Sequence, residues 1–297
     1  MGAILANHNA DTIRLVHELA GKTSQRQIAK IVNLTKGQVQ HILDYEKPTP
    51  KEFCVIRLPT PLDLTGDFMV VGDVHVPATD WEFASRVQRV AERNGIGSLL
   101  VGGDYWSMDV YSKFPHITTP PSFQQEFDAA QRLLQDWLMT FDHVYFMMCN
   151  HERMMQKANS GHFEDWNIFG CLSTSSKVES TNLGYLWVTS GDRRWYVAHG
   201  REYSVNPLTV GNKLAQKFQA NVISHHQHHV GVTRDEFDRY DVVDNGTLAD
   251  QGKFAYVTMD TNKKPNMKRA FTMIRRGFPT QFVLNGITDW GAWMGDN

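Results

Sequence analysis

Between residues 68 and 228 the chain contains five short apolar runs, each followed directly by side chains that bind metals, and this repetition limits the fold more than any other feature. Phe68-Met69-Val70-Val71 leads into Asp73 and His75, and Ser98-Leu99-Leu100-Val101 leads into Asp104. Val144-Tyr145-Phe146-Met147-Met148 leads into Asn150 and His151, Trp195-Tyr196-Val197-Ala198 into His199, and Asn221-Val222-Ile223-Ser224 into His225-His226-Gln227-His228-His229. Short apolar runs closed by a turn read as buried sheet strands. Ligating residues placed just after such strands fall at the carboxyl ends of neighbours, where open α/β sheets carry their sites. A sheet would therefore gather what the sequence scatters.

Ligand type narrows the chemistry. Carboxylates, imidazoles and one amide oxygen make a mixed oxygen and nitrogen set suited to manganese, iron, zinc or nickel rather than calcium, and no thiolate is needed. A single member of the set, such as His199 after its strand, would ordinarily be an interior histidine satisfied by its neighbours. Five motifs in order, with βα spacings between them, supply the context that such a histidine lacks. In the imidazole cluster, strand alternation predicts that His226 and His228 leave one face together, with His225 and His229 supporting them or facing solvent.

These residues resemble the calcineurin-like metallophosphoesterase superfamily, whose motifs run D-x-H, G-D-x-x-D, G-N-H-[ED], a lone His and G-H-x-H. The resemblance spans roughly residues 66 to 260. It implies a four-layer αββα sandwich of two mixed sheets and a site for two divalent metal ions, with manganese expected and iron, zinc, nickel or magnesium as alternatives. By position it implies that Asp73, His75 and His228 hold one ion, that Asn150, His199 and His226 hold the other, and that Asp104 bridges them. His151 would be the acid outside the metal shell. The sequence departs from the pattern at Ser107, where many members have a second Asp or Asn, at Cys149 before Asn150 and at His225 before His226. No implied ligand is lost by these departures.

Two divalent ions roughly 3.5–4 Å apart can clamp a phosphoryl group and generate a bridging hydroxide near neutral pH, which is the expected nucleophile. His151 can reach the leaving oxygen, Glu152 can hold the His151 ring in one orientation, and Arg153 can fork onto a phosphate oxygen or form a surface ion pair.

At 297 residues the chain has room for one large domain and a small module, and with 21% charged and 41% hydrophobic residues it reads as an ordinary globular protein with a net charge of −2. No apolar stretch approaches about 18 residues and the start lacks a basic region ahead of a long apolar segment, so a cytoplasmic setting without a membrane partner is expected. Cys54, Cys149 and Cys171 are odd in number and well separated, which suits reduced thiols. Cys149 is expected to pack beneath the metals.

Residues 1–50 read as a separate all-α module ahead of a catalytic domain over 51–297. Ile13, Val16, Leu19 and Ala20 follow helical spacing up to Gly21. Ser24 with Gln27, and Thr35 with Gln38, have the spacing of capping boxes. Asn33 falls where the chain needs a left-handed turn, and Ala29 is small enough to let two helices approach. The spacing resembles the helix-turn-helix of DNA-binding regulators, which implies that Lys36, Gln38, Gln40 and His41 face a major groove. Against this, residues 1–50 carry a balance of only +2, from Arg14, Lys22, Arg26, Lys30, Lys36 and Lys47 against Asp11, Glu18, Asp44 and Glu46, so phosphate attraction is weak. A protein-interaction element is the alternative. Pro48 and Pro50 predict a stiff linker.

Within the catalytic domain, residues 81–94 and 122–141 have the 3.6 period of crossover helices. The aromatic stretch from Tyr105 to Pro115 offers either a rim for base stacking or core packing. Residues 151–172 form another rim. Lys253 to Asp260 and Lys268 to Arg275 are expected as a hairpin closing the second sheet, turned at Asn262-Lys263-Lys264-Pro265. Its Lys263, Lys264, Lys268, Arg269, Arg275 and Arg276 form a basic strip that suits either a nucleic-acid backbone or an edge guarded against aggregation. The leading expectation is a phosphodiesterase or nuclease acting on DNA. A phosphomonoesterase of protein or nucleotide is the second reading, and a DNA-binding regulator with an inactive phosphoesterase domain is the third. The pairing of the two modules also resembles proteins encoded by bacteriophages.

Overall fold

The computed structural model describes residues 10–45, 61–112, 119–158, 168–254, 257 and 267–295. Two compact units divide the chain, Met1–Leu58 and Pro59–Asn297.

In the first unit, α1 (Ala10–Leu19), α2 (Gln25–Ile31) and α3 (Lys36–Tyr45) enclose a small core of Val16, Ile28, Ala29, Val39 and Ile42. Ser24 caps α2 in a full capping box with Gln27, satisfying amides that the first turn would otherwise leave bare. The same exchange opens α3, where the Thr35 N–H donates to Gln38 Oε1 at 2.9 Å and the Gln38 N–H donates to Thr35 Oγ1 at 3.2 Å. Asn33 takes the left-handed turn between them at φ 52. Pro48 and Pro50 lie outside the described residues.

The second unit is built on two six-stranded mixed sheets. Its elements in chain order are β1 (Asp63–Thr65), β2 (Phe68–Val71), α4 (Trp81–Asn94), β3 (Ser98–Val101), α5 (Phe123–Thr140), β4 (His143–Met147), α6 (Glu152–Ala158), β5 (Val178–Thr181), β6 (Tyr185–Ser190), β7 (Arg193–Ala198), α7 (Thr209–Phe218), β8 (Asn221–Ser224), β9 (Val230–Arg234), β10 (Asp241–Asn245), β11 (Ala270–Arg275), β12 (Phe278–Val283) and α8 (Trp290–Met294). One sheet runs β12-β11-β2-β3-β4-β5 and the other β1-β6-β7-β8-β10-β9. Phe68, Val70, Leu100, Met147 and Ile274 of the first sheet pack against Leu186, Val188, Trp195, Val197, Ile223 and Val243 of the second. The outer face of the first sheet is covered by α4 and α5, and that of the second by α7, which buries Ala215 against Tyr196 and Val222. The order of layers is therefore αββα.

Burial on both faces explains why β2 and β8 are fully buried along their lengths. Asp80 caps α4 through the Phe83 N–H, Gly95 ends it in a left-handed conformation at φ 65, and Ser122 opens α5 with a capping box. No helix among the described residues is long and apolar enough to cross a membrane.

The carboxyl-terminal hairpin differs from expectation. Residues 251–253 form a 3-10 turn, while 258–260 and the proposed 262–265 turn lie outside the described residues. The hairpin observed joins β11 to β12 and turns at Arg276-Gly277, with φ 52 and 85. It extends the first sheet, through β11 antiparallel to β2, rather than the second. A two-residue turn needs only successive positive φ values, which Arg-Gly can supply without the polar composition that usually marks a turn. The register then stacks Phe271 on Phe282, with ring centroids 4.9 Å apart, inside the core. The basic strip is partly tied down, because Arg269 pairs with Asp80 and Arg275 reaches Asn94 Oδ1 at 3.3 Å. Lys263 and Lys264 are outside the described residues. Tyr105 and Trp106 are fully buried, so the segment that follows Asp104 begins as core and not as a stacking rim.

Candidate metal centre

The ligating residues meet because the strands before them run parallel and in register. Val71, Val101 and Phe146 are partners across β2, β3 and β4, and Ala198 and Ser224 are partners across β7 and β8. The five loops that follow emerge at the same edge of the sandwich. Ladder-like bonds continue past the strand ends, with the Asp73 N–H donating to Gly103 O and the His75 N–H to Asp104 O, each at 3.0 Å. Five of the candidate ligands, Asp73, His75, Asp104, His226 and His228, have φ between 47 and 83. Such conformations cost non-glycine residues energy and concentrate at functional sites.

Among the described residues three overlapping groups have donor atoms close enough to share an ion: Asp73 with His75 and His228, His75 with Asp104 and His151, and Asp104 with His199 and His226. In the first group His228 Nε2 lies 3.1 Å from Asp73 Oδ1 and 3.2 Å from His75 Nε2. Asp73 Oδ1 is buried without a hydrogen-bond donor, as are the Nδ1 atoms of His75 and His228. A buried carboxylate oxygen without a partner is rare in a folded interior, and a cation between Asp73 Oδ1 and the two Nε2 atoms would satisfy it. In the third group His199 Nε2 lies 3.1 Å from Asp104 Oδ2 and 3.0 Å from Asn150 Oδ1. Both carboxylates are held from behind: Asp73 Oδ2 accepts the His226 N–H at 3.0 Å and Asp104 Oδ1 accepts the His151 N–H at 3.2 Å. The two remaining oxygens, Asp73 Oδ1 and Asp104 Oδ2, face the imidazoles. This donor set fits divalent metal ions.

The phase of the imidazole cluster has a different origin from the one its alternation suggests. Strand β8 stops at Ser224, and it is the left-handed backbone at His226 and His228 that turns them into the site. His225 is buried beneath, its Nδ1 3.7 Å from Asp73 Oδ2. Gly72 and Gly102 make room for its ring, and a methyl group at either position would overlap the imidazole. At Gly103, with φ 98, a methyl would collide with Cys149 Sγ and come within 2.8 Å of His199 Nδ1. Gly103→Ala is expected to destabilise the protein by about 2–4 kcal/mol, through overpacking and left-handed strain together. Denaturant unfolding checks this, and a loss below about 1 kcal/mol would show that Cys149 and His199 can give way.

His151 keeps 23% of its side-chain surface open, enough for a substrate to reach a ring that otherwise faces Asp104 Oδ2 at 3.8 Å through Nε2. Its Nδ1 bonds the Ser107 carbonyl. Glu152 does not orient that ring as the sequence suggests. Its carboxylate accepts the Tyr105 N–H at 2.7 Å, the Cys149 N–H at 3.1 Å and the Trp106 N–H at 3.4 Å, so it clamps the loops after β3 and β4. Arg153 donates to the Asn182 carbonyl at 2.6 Å. In the first unit Gln38 is engaged in its cap, Gln40 accepts from Gln25 Nε2 at 2.6 Å, and Lys36 is exposed. The side chain of His41 is outside the described set.

Charge in the centre is set by burial and by the pairing of two carboxylates with the imidazoles around them. Burial raises the carboxyls of Asp73 and Asp104, but the surrounding imidazoles outweigh it and hold both far below the usual range. Burial depresses His75, with the neighbouring rings adding to the effect. Burial alone would lower His199, yet Asp104 pulls it well above its ordinary value. Burial pushes Cys149 up to about 12, leaving an inert thiol beside His199.

One carboxylate near the centre escaped the sequence reading. Glu126 is fully buried in the first turn of α5, where an acid is unremarkable because it complements the helix dipole, and no motif spacing marks it. Burial and the neighbouring Asp109 raise it to about 7.

No protein-family model matches the chain, and no curated protein matches it. Among solved structures it is similar to Vacuolar Protein Sorting 29 from Cryptosporidium parvum, at 15% identity and a TM-score of 0.39 over 74% of this chain and 96% of that one. Vps29 from Entamoeba histolytica, in a structure complexed with zinc, is 12% identical with a TM-score of 0.35 over 73% and 98%. A predicted phosphoesterase from Streptococcus pneumoniae is 11% identical with a TM-score of 0.33 over 74% and 98%. At these identities none of the three assigns a substrate to this chain.

Proposed function

We propose that the Pro59–Asn297 unit is a phosphoesterase of the calcineurin-like type that works with two divalent cations. The observation that carries this reading is Asp104, whose carboxylate belongs to two ligand groups at once, with His199 and His226 on one side and His75 and His151 on the other. Asp73, His75 and His228 would hold one cation, Asn150, His199 and His226 the other, and Asp104 both. Bound there, such a pair supplies Lewis acidity toward a phosphoryl group and an acidified water.

The chain's own residues do the rest. With Nδ1 on the Ser107 carbonyl, His151 turns Nε2 toward the candidate ligands, 3.8 Å from Asp104 Oδ2. Burial lowers this ring, but Asp104 and the Ser107 carbonyl more than restore it, so it holds a proton to give to a leaving oxygen. Asn150 is a neutral ligand and keeps the charge beside His151 low. Arg153 braces the loop at Asn182 and leaves charge neutralisation at the phosphate to other groups.

For the substrate we favour a phosphodiester in DNA. The support is the three-helix unit, whose α2 and α3 resemble a helix-turn-helix, with Lys36 exposed at the start of α3. Metal-stripped protein assayed with Mn, Mg, Zn or Ni on a diester, a monoester and single- and double-stranded DNA tests both levels. Restored diester turnover, with a melting temperature that rises on adding Mn, is expected. Silence on every ester with every metal would reject the enzyme, and turnover of the monoester alone would replace the DNA reading with a phosphatase. Deleting residues 1–58 is expected to weaken cleavage of DNA several-fold and to leave a small diester unchanged; equal DNA cleavage would remove any recruiting role for the first unit.

A further inference from the structure

The geometry points to Glu126 as a positioning residue for the proton donor: we propose that its carboxylate acts on His151 through the Ser107–Met108 peptide, fixing which ring nitrogen faces the substrate and strengthening that bond. The proposal rests on the phosphoesterase reading above and extends it to a residue outside the ligand set.

Glu126 Oε2 accepts the Met108 N–H at 2.7 Å. The other end of the same peptide, the Ser107 carbonyl, is the atom bonded by His151 Nδ1. Carboxylate, peptide and imidazole thus form one chain of hydrogen bonds. A charge on the amide end of a peptide draws electron density toward its carbonyl, so that the oxygen accepts more strongly from the ring. The ring is then held in one orientation, with Nδ1 on the peptide and Nε2 as its other ring nitrogen.

The surrounding structure keeps this peptide turned as it is. Met108 sits at φ 51, a left-handed conformation unusual for an unbranched apolar side chain, and its side chain is fully buried. Ser107 Oγ donates to the His75 carbonyl at 3.1 Å, and the Tyr111 N–H closes on the Met108 carbonyl at 2.9 Å. Glu126 itself is wholly buried on α5, a helix that carries none of the candidate ligands. Glu126 also accepts from the Asp109 N–H, the next amide of the same turn, so one buried carboxylate holds both the Ser107–Met108 peptide and the turn that follows it. Its position behind the histidine gives it a use. Ser107, where the family pattern has an acid or amide, cannot fill that role with its own side chain, because its hydroxyl is bonded to His75.

A proton donor matters most when the leaving group is a poor one, and this separates positioning from plain structural damage. The full-length protein and Glu126→Gln, loaded with Mn, would be assayed at roughly pH 8.5, where Glu126, raised to about 7, is ionised, on a dinucleotide, whose leaving group is an alcohol, and on a p-nitrophenyl ester of thymidine phosphate, whose leaving group is already stable as an anion. Glutamine keeps the volume and an acceptor for Met108 but loses the charge. We expect kcat on the dinucleotide to fall about tenfold, with KM and metal content unchanged, and the p-nitrophenyl ester to change by less than about twofold. His151→Ala should show the same selectivity with a larger loss.

Equal losses on both esters would overturn the proposal in favour of a structural role. So would a dinucleotide rate equal to wild type, provided His151→Ala remains selective. A wild-type protein silent on both esters would instead remove the phosphoesterase reading itself. If Glu126→Gln does not fold, nitrogen-15 spectra of histidine-labelled wild type loaded with zinc decide the point, with His151→Ala identifying the signal. A neutral His151 protonated on Nδ1 supports the relay, and one protonated on Nε2 overturns it.

Discussion

Asp104→Ala is expected to lower turnover of a phosphodiester by roughly 10³-fold or more and to reduce the bound metal, since residues that act as a unit do not fail additively. Two of the three donor groups in the centre share this carboxylate. Its Oδ2 faces His199 Nε2 at 3.1 Å and His151 Nε2 at 3.8 Å, while its Oδ1 holds the His151 amide at 3.2 Å. Alanine would remove the negative charge that two of the donor groups share and leave His199, which Asp104 raises well above its ordinary value, without its main partner. Steady-state kinetics with metal analysis of the same preparation measure both effects. Activity within tenfold of wild type, with two metals still bound, would sink the bridging assignment, and Asp104→Asn separates loss of charge from loss of the amide contact.

Glu152→Ala is expected to cost about 3–5 kcal/mol of stability, because it strands the buried amides of Tyr105, Cys149 and Trp106 and leaves a small void where the loops after β3 and β4 meet. Denaturant unfolding of metal-stripped protein gives the number, and a loss under about 1 kcal/mol would mean that water replaces the carboxylate freely. The same residue carries a pH signature. Burial, with the Asp104 charge, raises Glu152 from 4.5 to about 7. Across that window the folded state retains a proton that the unfolded chain has released, so wild-type stability falls as pH rises from 4.5 to 7. Glu152→Gln has no such proton to lose. Its stability relative to wild type should therefore improve by about 3 kcal/mol over the window, and a flat difference would rule out the raised titration.

The strands and crossover helices of the second unit were readable because burial on both faces writes itself into composition. Phe68–Val71, Ser98–Val101 and Asn221–Ser224 coincide with β2, β3 and β8, and the period through residues 81–94 coincides with α4. Caps were equally local, as at Ser24 and Thr35. The β11–β12 hairpin was misplaced because its turn depends on two positive φ values at Arg276-Gly277, while the polar run at 262–265 advertised a turn by composition. The bonds that Gln38 makes to Thr35 and Gln40 to Gln25 within the three-helix unit depend on which neighbours fold against them.

Sequence by itself determined which residues could ligate and at which strand ends they would stand, since side-chain chemistry and strand burial are properties of short segments. Tertiary structure alone decided how they meet. The parallel register of β2, β3 and β4, and of β7 and β8, brings five loops to one edge, and left-handed backbone at His226 and His228 aims two rings that a continued strand would have aimed by pleat. It also brought in two carboxylates with unforeseen roles, Glu152 across two loops and Glu126 behind His151. Such roles are set by hydrogen bonds between segments far apart in the chain, and no local pattern records them.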